Sequence, residues 1–274
     1  MGALILETNL VRLWEKIIHR FAFRWTTALW VLTWTLSAVA YRELKGNLFA
    51  SNAQTLVNTV NCVGAMGKGV ALEFRLRFPK MFVEYQRVCA AGKLHPGQIW
   101  PYRKERPWIL NFAVKDDWRY PSRIEWVESC LQKFVENYRQ LGLRSVAMPW
   151  LGAMNGRLDW PQVQALIRSY LAHLDDIDIE LIEFDLQAPD PWFEHLGTVS
   201  NRMDVADFAQ ASGLTETAAQ TILRAVRTGQ AKSLAEVTAL DSLGKLSIER
   251  LYAFLGRSTT VVSPSAIAMQ SQLL

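Results

Sequence analysis

One stretch constrains this chain more than any other: Thr55-Leu-Val-Asn-Thr-Val-Asn-Cys-Val-Gly-Ala-Met-Gly-Lys-Gly-Val-Ala-Leu-Glu-Phe74. Leu56, Val57 and Val60 form an apolar, partly β-branched run, which reads as a buried strand. Gly64, Gly67 and Gly69 follow, and Val70 to Phe74 open a helical pattern. A glycine loop that feeds a helix N-terminus aims several N–H groups at one point, backed by the positive end of the helix dipole. That arrangement is a ready-made phosphate site. Asn58 and Asn61 lie just upstream, where their amides could hydrogen-bond a sugar.

The rest of the chain supports an α/β reading. Tyr41 to Phe49 and Thr55 to Cys62 read as strands. Gly69 to Arg77 and Lys80 to Gly92 read as helices, the first stopped by Pro79. Gln98 to Tyr102 and Trp108 to Phe112 read as paired strands joined by a polar turn. Ser122 to Leu141 is an amphipathic helix, with Ile124, Val127, Cys130, Leu131, Phe134 and Tyr138 at helical spacing. Arg144 to Met148 is a strand, Trp160 to His173 a helix entered through Pro161, and Glu180 to Asp185 the last strand. Strands alternating with helices imply a mixed or mostly parallel sheet covered on both faces. Ligands in such folds gather at the carboxyl ends of the strands, where both glycine loops fall.

The ends of the chain differ from this body. In the first 40 residues, Arg12, Lys16, His19, Arg20 and Arg24 precede a nearly uncharged run, Trp25 to Ala40, which carries Trp25, Trp30 and Trp34. The run is shorter than the roughly 20 residues that span a bilayer, and Ala38-Val39-Ala40 mimics a signal-peptidase site. A signal or anchor, a membrane-surface segment through residues 21–40, and an extension outside the fold all remain open; the third is preferred. Gln187 to Pro191 reads as a linker. Residues 188–256 read as a small all-α domain with short helices at Asp207 to Ser212, Thr215 to Arg227, Ser233 to Ala239 and Ser247 to Leu255. Residues 257–274 read as a disordered tail.

Bulk properties narrow the chemistry. The chain has 274 residues and a net charge of +4, with an isoelectric point near 9.0. That suits a phosphate-bearing partner without requiring one. Cys62, Cys89 and Cys130 are odd in number and widely spaced, and the four histidines form no ligand pattern. Free thiols in a reducing cytoplasm, with no metal and no cofactor, are expected.

Taken together, residues 41–187 resemble a macrodomain, a three-layer α/β/α fold that binds ADP-ribose. The resemblance is carried by Lys45-Gly-Asn-Leu48, the stretch from Leu56 to Leu72, Phe78-Pro79, Asn111-Phe112 followed by Lys115, and Met148-Pro149 through Leu158-Asp159-Trp160. Within that family it is similar to the branch of terminal ADP-ribose glycohydrolases and DarG-type DNA ADP-ribosyl glycohydrolase antitoxins. The resemblance implies an ADP-ribose site made of Asn47, Leu48, Asn58, Asn61, Val63, Met66, Gly67, Lys68, Gly69 and Val70 on one side. Pro149, Leu151, Gly152, Ala153, Met154, Asn155 and Gly156 form the other. Asn61 would face the distal ribose, unless it is a structural asparagine capping the turn. Asn47 would face adenine, where many relatives carry aspartate.

Lys115 is the implied catalytic residue. Its amine would engage the anomeric carbon and form a Schiff base with the opened ribose once its pKa is lowered. Asp116 and Asp117 follow it directly and would oppose that by holding the amine charged; a surface lysine beside two aspartates is the alternative. The second loop departs from the family pattern. Met154 replaces a glycine and is expected to narrow the pocket or change the loop. Asn155 cannot act as a base, and Asp159 is placed to cap the next helix.

The implied function is removal of ADP-ribose from modified nucleobases in DNA, with an ADP-ribosyltransferase toxin as an implied partner. A non-catalytic reader of ADP-ribosylated macromolecules and a deacylase of protein-carboxylate ADP-ribose esters are the alternatives. The tail more weakly resembles a helix-hairpin-helix module, in which Arg224, Arg227, Lys232, Lys245 and Arg250 could line a phosphate path.

Overall fold

The computed structural model describes residues 41–152 and 154–259. The expectations for residues 1–40 and 260–274, and for Ala153, lie outside the described residues.

Six strands form one mixed sheet: β1 (Tyr41–Gly46), β2 (Thr55–Val60), β3 (Ile99–Tyr102), β4 (Trp108–Ala113), β5 (Ser145–Pro149) and β6 (Asp178–Phe184). Their order is β1-β6-β5-β2-β4-β3. All neighbours are parallel except β3 and β4. Pro101 lies in β3, an edge strand, where a missing N–H costs no ladder bond. Four helices cover the sheet: α1 (Gly69–Arg77), α2 (Pro79–Ala90), α3 (Ile124–Asn137) and α4 (Trp160–Leu171).

Alternation along the strands builds two cores. Val57, Leu110 and Phe112 pack with Val127 and Phe134 of α3 and Val163 and Ile167 of α4. On the other face, Leu56 and Ile109 pack with Phe74 of α1 and Met81 and Tyr85 of α2. This is the three-layer architecture that the sequence implies. The first strand is shorter than expected, because Asn47 starts a tight turn over Leu48–Ala50. Its side chain accepts from the Phe49 N–H at 2.9 Å.

Five helices follow: α5 (Pro191–Arg202), α6 (Val205–Ser212), α7 (Glu216–Arg227), α8 (Leu234–Thr238) and α9 (Lys245–Thr259). Helix α5 was not expected. Asp190 caps it, accepting from the Trp192 N–H at 2.9 Å, and Pro191 stands at its first position, a favourable start. Helix α9 runs to Thr259, so residues 257–259 are helix rather than disordered tail. Leu196, Phe208, Ile222, Leu251 and Leu255 form the core of this region, which takes in Leu76 of α1.

Two of the five basic residues expected to line a phosphate path in the tail are engaged within the helical region. Arg227 donates to the carbonyls of Ser200 and Met203 at 2.7 and 2.8 Å. Arg250 donates to the carbonyl of Gly213 at 2.7 Å. Both are held by main-chain acceptors within the helical region.

A buried ion pair ties the helices to the sheet domain. Arg77 donates to Asp190 at 2.6 Å, with side-chain exposures of 4% and 6%, and also to Glu73 at 2.7 Å. Its guanidinium lies over Phe49 at 4.4 Å and Trp192 at 4.6 Å. Asn47 donates to the same Asp190 carboxylate at 3.1 Å. Removing one member of such a pair leaves an uncompensated buried charge. Arg77→Met is therefore expected to destabilise the protein by about 3–5 kcal/mol, measured by urea unfolding.

Glu43 on β1 accepts from Tyr41 at 2.8 Å, Gln164 at 2.7 Å and Arg168 at 2.6 Å. The Arg168 hydrogen bond chiefly holds its carboxyl down, from the ordinary 4.5 to about 2. A depressed carboxyl pKa contributes stability that is present above the unfolded value and lost as pH falls towards the folded one. Wild type and Glu43→Gln are expected to differ in thermal midpoint at pH 6 and to converge as pH falls from 4.5 to about 2.

Candidate functional site

The first glycine loop leaves the carboxyl end of β2 and is shaped by one amide. Asn61 Oδ1 accepts from the N–H groups of Val63 and Ala65 at 3.1 and 3.2 Å. Its Nδ2 donates to the Ala65 carbonyl at 2.5 Å. The Tyr85 hydroxyl, rising from α2, donates to the Asn61 carbonyl at 2.6 Å and reaches Oδ1 at 3.1 Å. Asn61 is buried, so its first role is the cap of the turn, and one N–H of its amide is left to face a ligand. Gly64 and Gly69 adopt φ of +80° and +58°, which L side chains rarely adopt. A Cβ on Gly67 would meet nothing within 4 Å, so a ligand has room to approach the backbone there. Lys68, the residue before α1, is exposed. The first turn of α1 leaves its N–H groups outside the helix's own ladder.

Several residues assigned to the site lie beneath it. Asn58 is fully buried and cannot reach a sugar. It sits opposite Asn111 in the β2–β4 register and donates to Asn111 Oδ1 at 2.9 Å; Asn111 in turn donates to the Trp100 carbonyl at 3.3 Å. Met66 is also buried, its sulfur 3.8 Å from Asn58 Nδ2. Leu48 and Leu151 are core residues. Asn58 and Met66 thus support the loop from below. Asn47 has one N–H on Asp190 and its oxygen on Phe49.

The second loop leaves β5 between two stacked tryptophans, Trp150 and Trp160, whose ring centroids are 3.9 Å apart. Its backbone folds on itself. The Leu158 N–H donates to the Gly152 carbonyl at 3.1 Å. A Cβ on Gly156 would lie 1.9 Å from that same oxygen, and one on Gly152 would lie 2.8 Å from Leu158 Cδ1. Only glycine fits either position. Met154 is 75% exposed, so it points to solvent and does not narrow the pocket as expected. Asn155 is exposed, and its side chain reaches across to the first loop: its Nδ2 is 2.5 Å from where a Gly69 Cβ would stand. Asp159 caps α4 through the Gln162 N–H at 3.4 Å.

Lys115 stands where the two loops meet. Its N–H donates to the Val60 carbonyl at 3.2 Å, and the Cys62 N–H donates to the Asp116 carbonyl at 2.8 Å. The Cys62 thiol donates to the Lys115 carbonyl at 3.3 Å. The Lys115 Nζ donates to the Asn155 carbonyl at 2.5 Å. Burial lowers its pKa, and the positive charge of Arg157 lowers it further. The neighbouring aspartates do not oppose this. Asp117 is buried and grips Arg119 through the guanidinium at 2.6 and 3.0 Å and the N–H at 2.9 Å; these bonds hold its carboxyl at about 2. Lys115 has no ion pair among the described residues.

Sequence reasoning missed four supports of this arrangement. Tyr85 braces the first loop. Arg157 sits at φ +60° and acts on the amine by charge. Arg119 takes up Asp117. The Ser122 N–H donates to the Gly156 carbonyl at 2.9 Å, anchoring the second loop. Three of the four lie outside every motif, Arg157 does not stand out within the second loop, and three act through backbone groups or charge, which residue identity does not reveal. Among the described residues, no three His, Cys, Asp or Glu side chains form a metal site.

Comparison with known proteins places these features in a family. The pattern described as Macro domain matches residues 57–167. A DNA ADP-ribosyl glycohydrolase of Thermus aquaticus is 41% identical over 146 residues, covering 52% of this chain and 41% of that protein. A DNA ADP-ribosyl transferase–DNA ADP-ribosyl glycohydrolase fusion protein of Thermosipho africanus is 35% identical over 163 residues, covering 53% and 41%. The solved macrodomain of Mycobacterium tuberculosis DarG is 35% identical, with a TM-score of 0.50, and covers 55% of this chain and 99% of that one. The chain thus spans about two-fifths of the length of the curated relatives it matches.

Gly156→Ala must push two backbone segments apart. It is expected to lower the thermal midpoint and weaken ADP-ribose binding at least about tenfold, by calorimetry, since each 1.4 kcal/mol of lost loop geometry is a factor of ten. Gly197→Ala, whose Cβ meets nothing within 4 Å, is expected to leave ligand binding unchanged.

Proposed function

Since this chain belongs to the macro domain family, we propose that it cleaves the glycosidic bond joining ADP-ribose to a nucleobase in DNA. The observation that carries the proposal is the Lys115 amine: it sits between two glycine loops, its pKa is lowered, and no carboxylate among the described residues pairs with it. The diphosphate lies against the Gly67–Gly69 backbone and the first turn of α1, where N–H groups and the helix dipole favour an anion. The remaining Asn61 N–H meets a ribose hydroxyl.

Lys115 then acts on the anomeric carbon. The bond from the base nitrogen to C1 breaks and the base leaves with a proton taken from solvent; a bond from Nζ to C1 forms, and as the C1–O4′ bond opens one amine proton passes to the ring oxygen, leaving a protonated iminium. Water hydrolyses the resulting iminium, releasing ADP-ribose and the free amine. The amine must be neutral to attack, and burial and Arg157 favour that state. Asn155 offers a carbonyl, an acceptor that does not demand a charged donor.

Two features extend the reading. The Thermosipho africanus relative joins a transferase and a glycohydrolase in one chain, and we place an ADP-ribosyltransferase as the partner whose modification this protein reverses. The three cysteines are free, which suits a reducing cytoplasm; among the described residues no helix is long and apolar enough to cross a membrane. A second reading has one observation in its favour. The second loop presents no uncommitted acid, since Asp159 caps α4, which fits a reader that binds ADP-ribosylated DNA without cleaving it.

Incubation with thymidine-ADP-ribosylated DNA separates the two. Lys115→Ala is expected to reduce ADP-ribose release by on the order of 10²-fold or more, while ADP-ribose still binds by calorimetry. Lys115→Arg is expected not to restore release, because a guanidinium stays protonated. Cyanoborohydride is expected to trap wild type, but not Lys115→Ala, as a covalent adduct. Equal release by wild type and Lys115→Ala would overturn the assignment.

A further inference from the structure

The residues that follow Lys115 read Asp116-Asp-Trp-Arg-Tyr-Pro-Ser-Arg123, alternating aromatic and basic side chains. Trp118 is 60% exposed and Tyr120 62%. Val63 and Met154, on the two glycine loops, are 51% and 75% exposed. These four are nearly half of the nine large apolar side chains that the described residues leave exposed, yet they come from three short loops. Those loops are stitched together around Lys115. Cys62 binds the Asp116 carbonyl, Lys115 binds the Asn155 carbonyl, and Ser122 binds the Gly156 carbonyl. The exposed apolar surface therefore rings the mouth of the site.

This surface is held firmly. Asp117 grips the Arg119 guanidinium from between Lys115 and Trp118, and the Tyr120 N–H donates to the Asp117 carbonyl at 3.2 Å. Arg119 lies over the Tyr120 ring at 5.9 Å. Two exposed aromatic rings on a loop pinned by the Asp117–Arg119 pair form a contact surface; a core would have covered them. Lys68, Arg123 and Arg157 stand on the same loops, all exposed and without an ion pair among the described residues; Asp116 is the exposed acid beside them.

We propose that Trp118 and Tyr120 are specificity-determining residues that stack the nucleobases flanking the modified nucleotide of an unpaired DNA strand. This rests on the DNA substrate proposed above. Bases stack on aromatic side chains whatever their sequence, and scattered cations track the phosphates. A strand whose bases are already unpaired can offer them to exposed rings; a duplex keeps them stacked inside. A modified base is also brought to Lys115 most cheaply from a single strand. Of the cations on these loops only Lys68, Arg123 and Arg157 are exposed and without an ion pair among the described residues, so stacking supplies most of the grip and the salt dependence is shallow.

Binding of an unmodified fluorescein-labelled single-stranded oligonucleotide, followed by anisotropy, tests the proposal without requiring turnover. Trp118→Ala and Tyr120→Ala are each expected to weaken binding on the order of tenfold, with Trp118→Phe restoring most of it and circular dichroism unchanged. Arg123→Ala is expected to reduce the salt slope by about one contact. Equal binding by wild type and the Trp118→Ala/Tyr120→Ala double variant would overturn the proposal, as would equal wild-type affinity for single strand and duplex. Wild type that binds the strand through these rings but releases no ADP-ribose would remove the hydrolase reading and leave the stacking surface standing.

Discussion

The hydrogen bonds around Asn61 are the constraint on which the site depends. A loop with three glycines in six residues has little intrinsic reason to hold one shape. Asn61 supplies that reason by taking up the N–H groups of Val63 and Ala65 and the Ala65 carbonyl with one buried side chain. Tyr85 fixes the asparagine from α2. The next residue, Cys62, carries the restraint on to Asp116 and Lys115 through its N–H and thiol. The same short segment therefore shapes the anion cradle and positions the amine. A buried amide that lost these partners would carry the full cost of desolvation, about 1–3 kcal/mol for each unmade bond. Loop, helix N-terminus and lysine consequently stand or fall together.

Below this lies a second amide layer with a different purpose. Asn58 and Asn111 face each other across the central strands and place a buried amide pair among mostly apolar neighbours. They hold the β2–β4 register immediately below the point where both chains leave the sheet. The division of labour is one of depth. Asn58 and Met66 fix the floor, Asn61 shapes the loop, and Gly67 to Gly69 present the exposed backbone.

How far the sequence revealed this follows the range of each interaction. The strand-turn-helix of residues 55–74 was legible because apolar periodicity, glycines and the helix start are local signals. The roles of Asn58 and Asn61 were not separable, since both are asparagines near a strand end, and only the Asn111 partner across the sheet shows which one is buried. Helix α5 was legible in principle, with Asp190 and Pro191 in capping order. The Pro-Asp-Pro run suggested a linker instead, and the Arg77 partner that makes Asp190 a fixed point is 113 residues away. Met154 misled for a similar reason. Its exposure goes with the close contact between Gly152 and Gly156, which only the folded-back loop reveals.

Lys115 shows most plainly how sequence neighbours and spatial neighbours can oppose each other. Along the chain it precedes two carboxylates, an environment that would keep an amine protonated. In space, Asp117 is bound to Arg119, and the charge that acts on Lys115 is the guanidinium of Arg157. A like charge and partial burial both favour the neutral amine, and the Asn155 carbonyl accepts a hydrogen bond from either form. Arg157 is held there in a left-handed backbone conformation, which costs a side-chain-bearing residue about 1–2 kcal/mol. Strain of that kind persists where surrounding contacts over-determine it, and it gathers at sites that use it. Here the surrounding contact is the folded-back second loop, whose glycines bring Arg157 round to the lysine. The second loop, which departs from its family's pattern, thus supplies a charge that favours the neutral form of Lys115, the state that the proposed reaction requires.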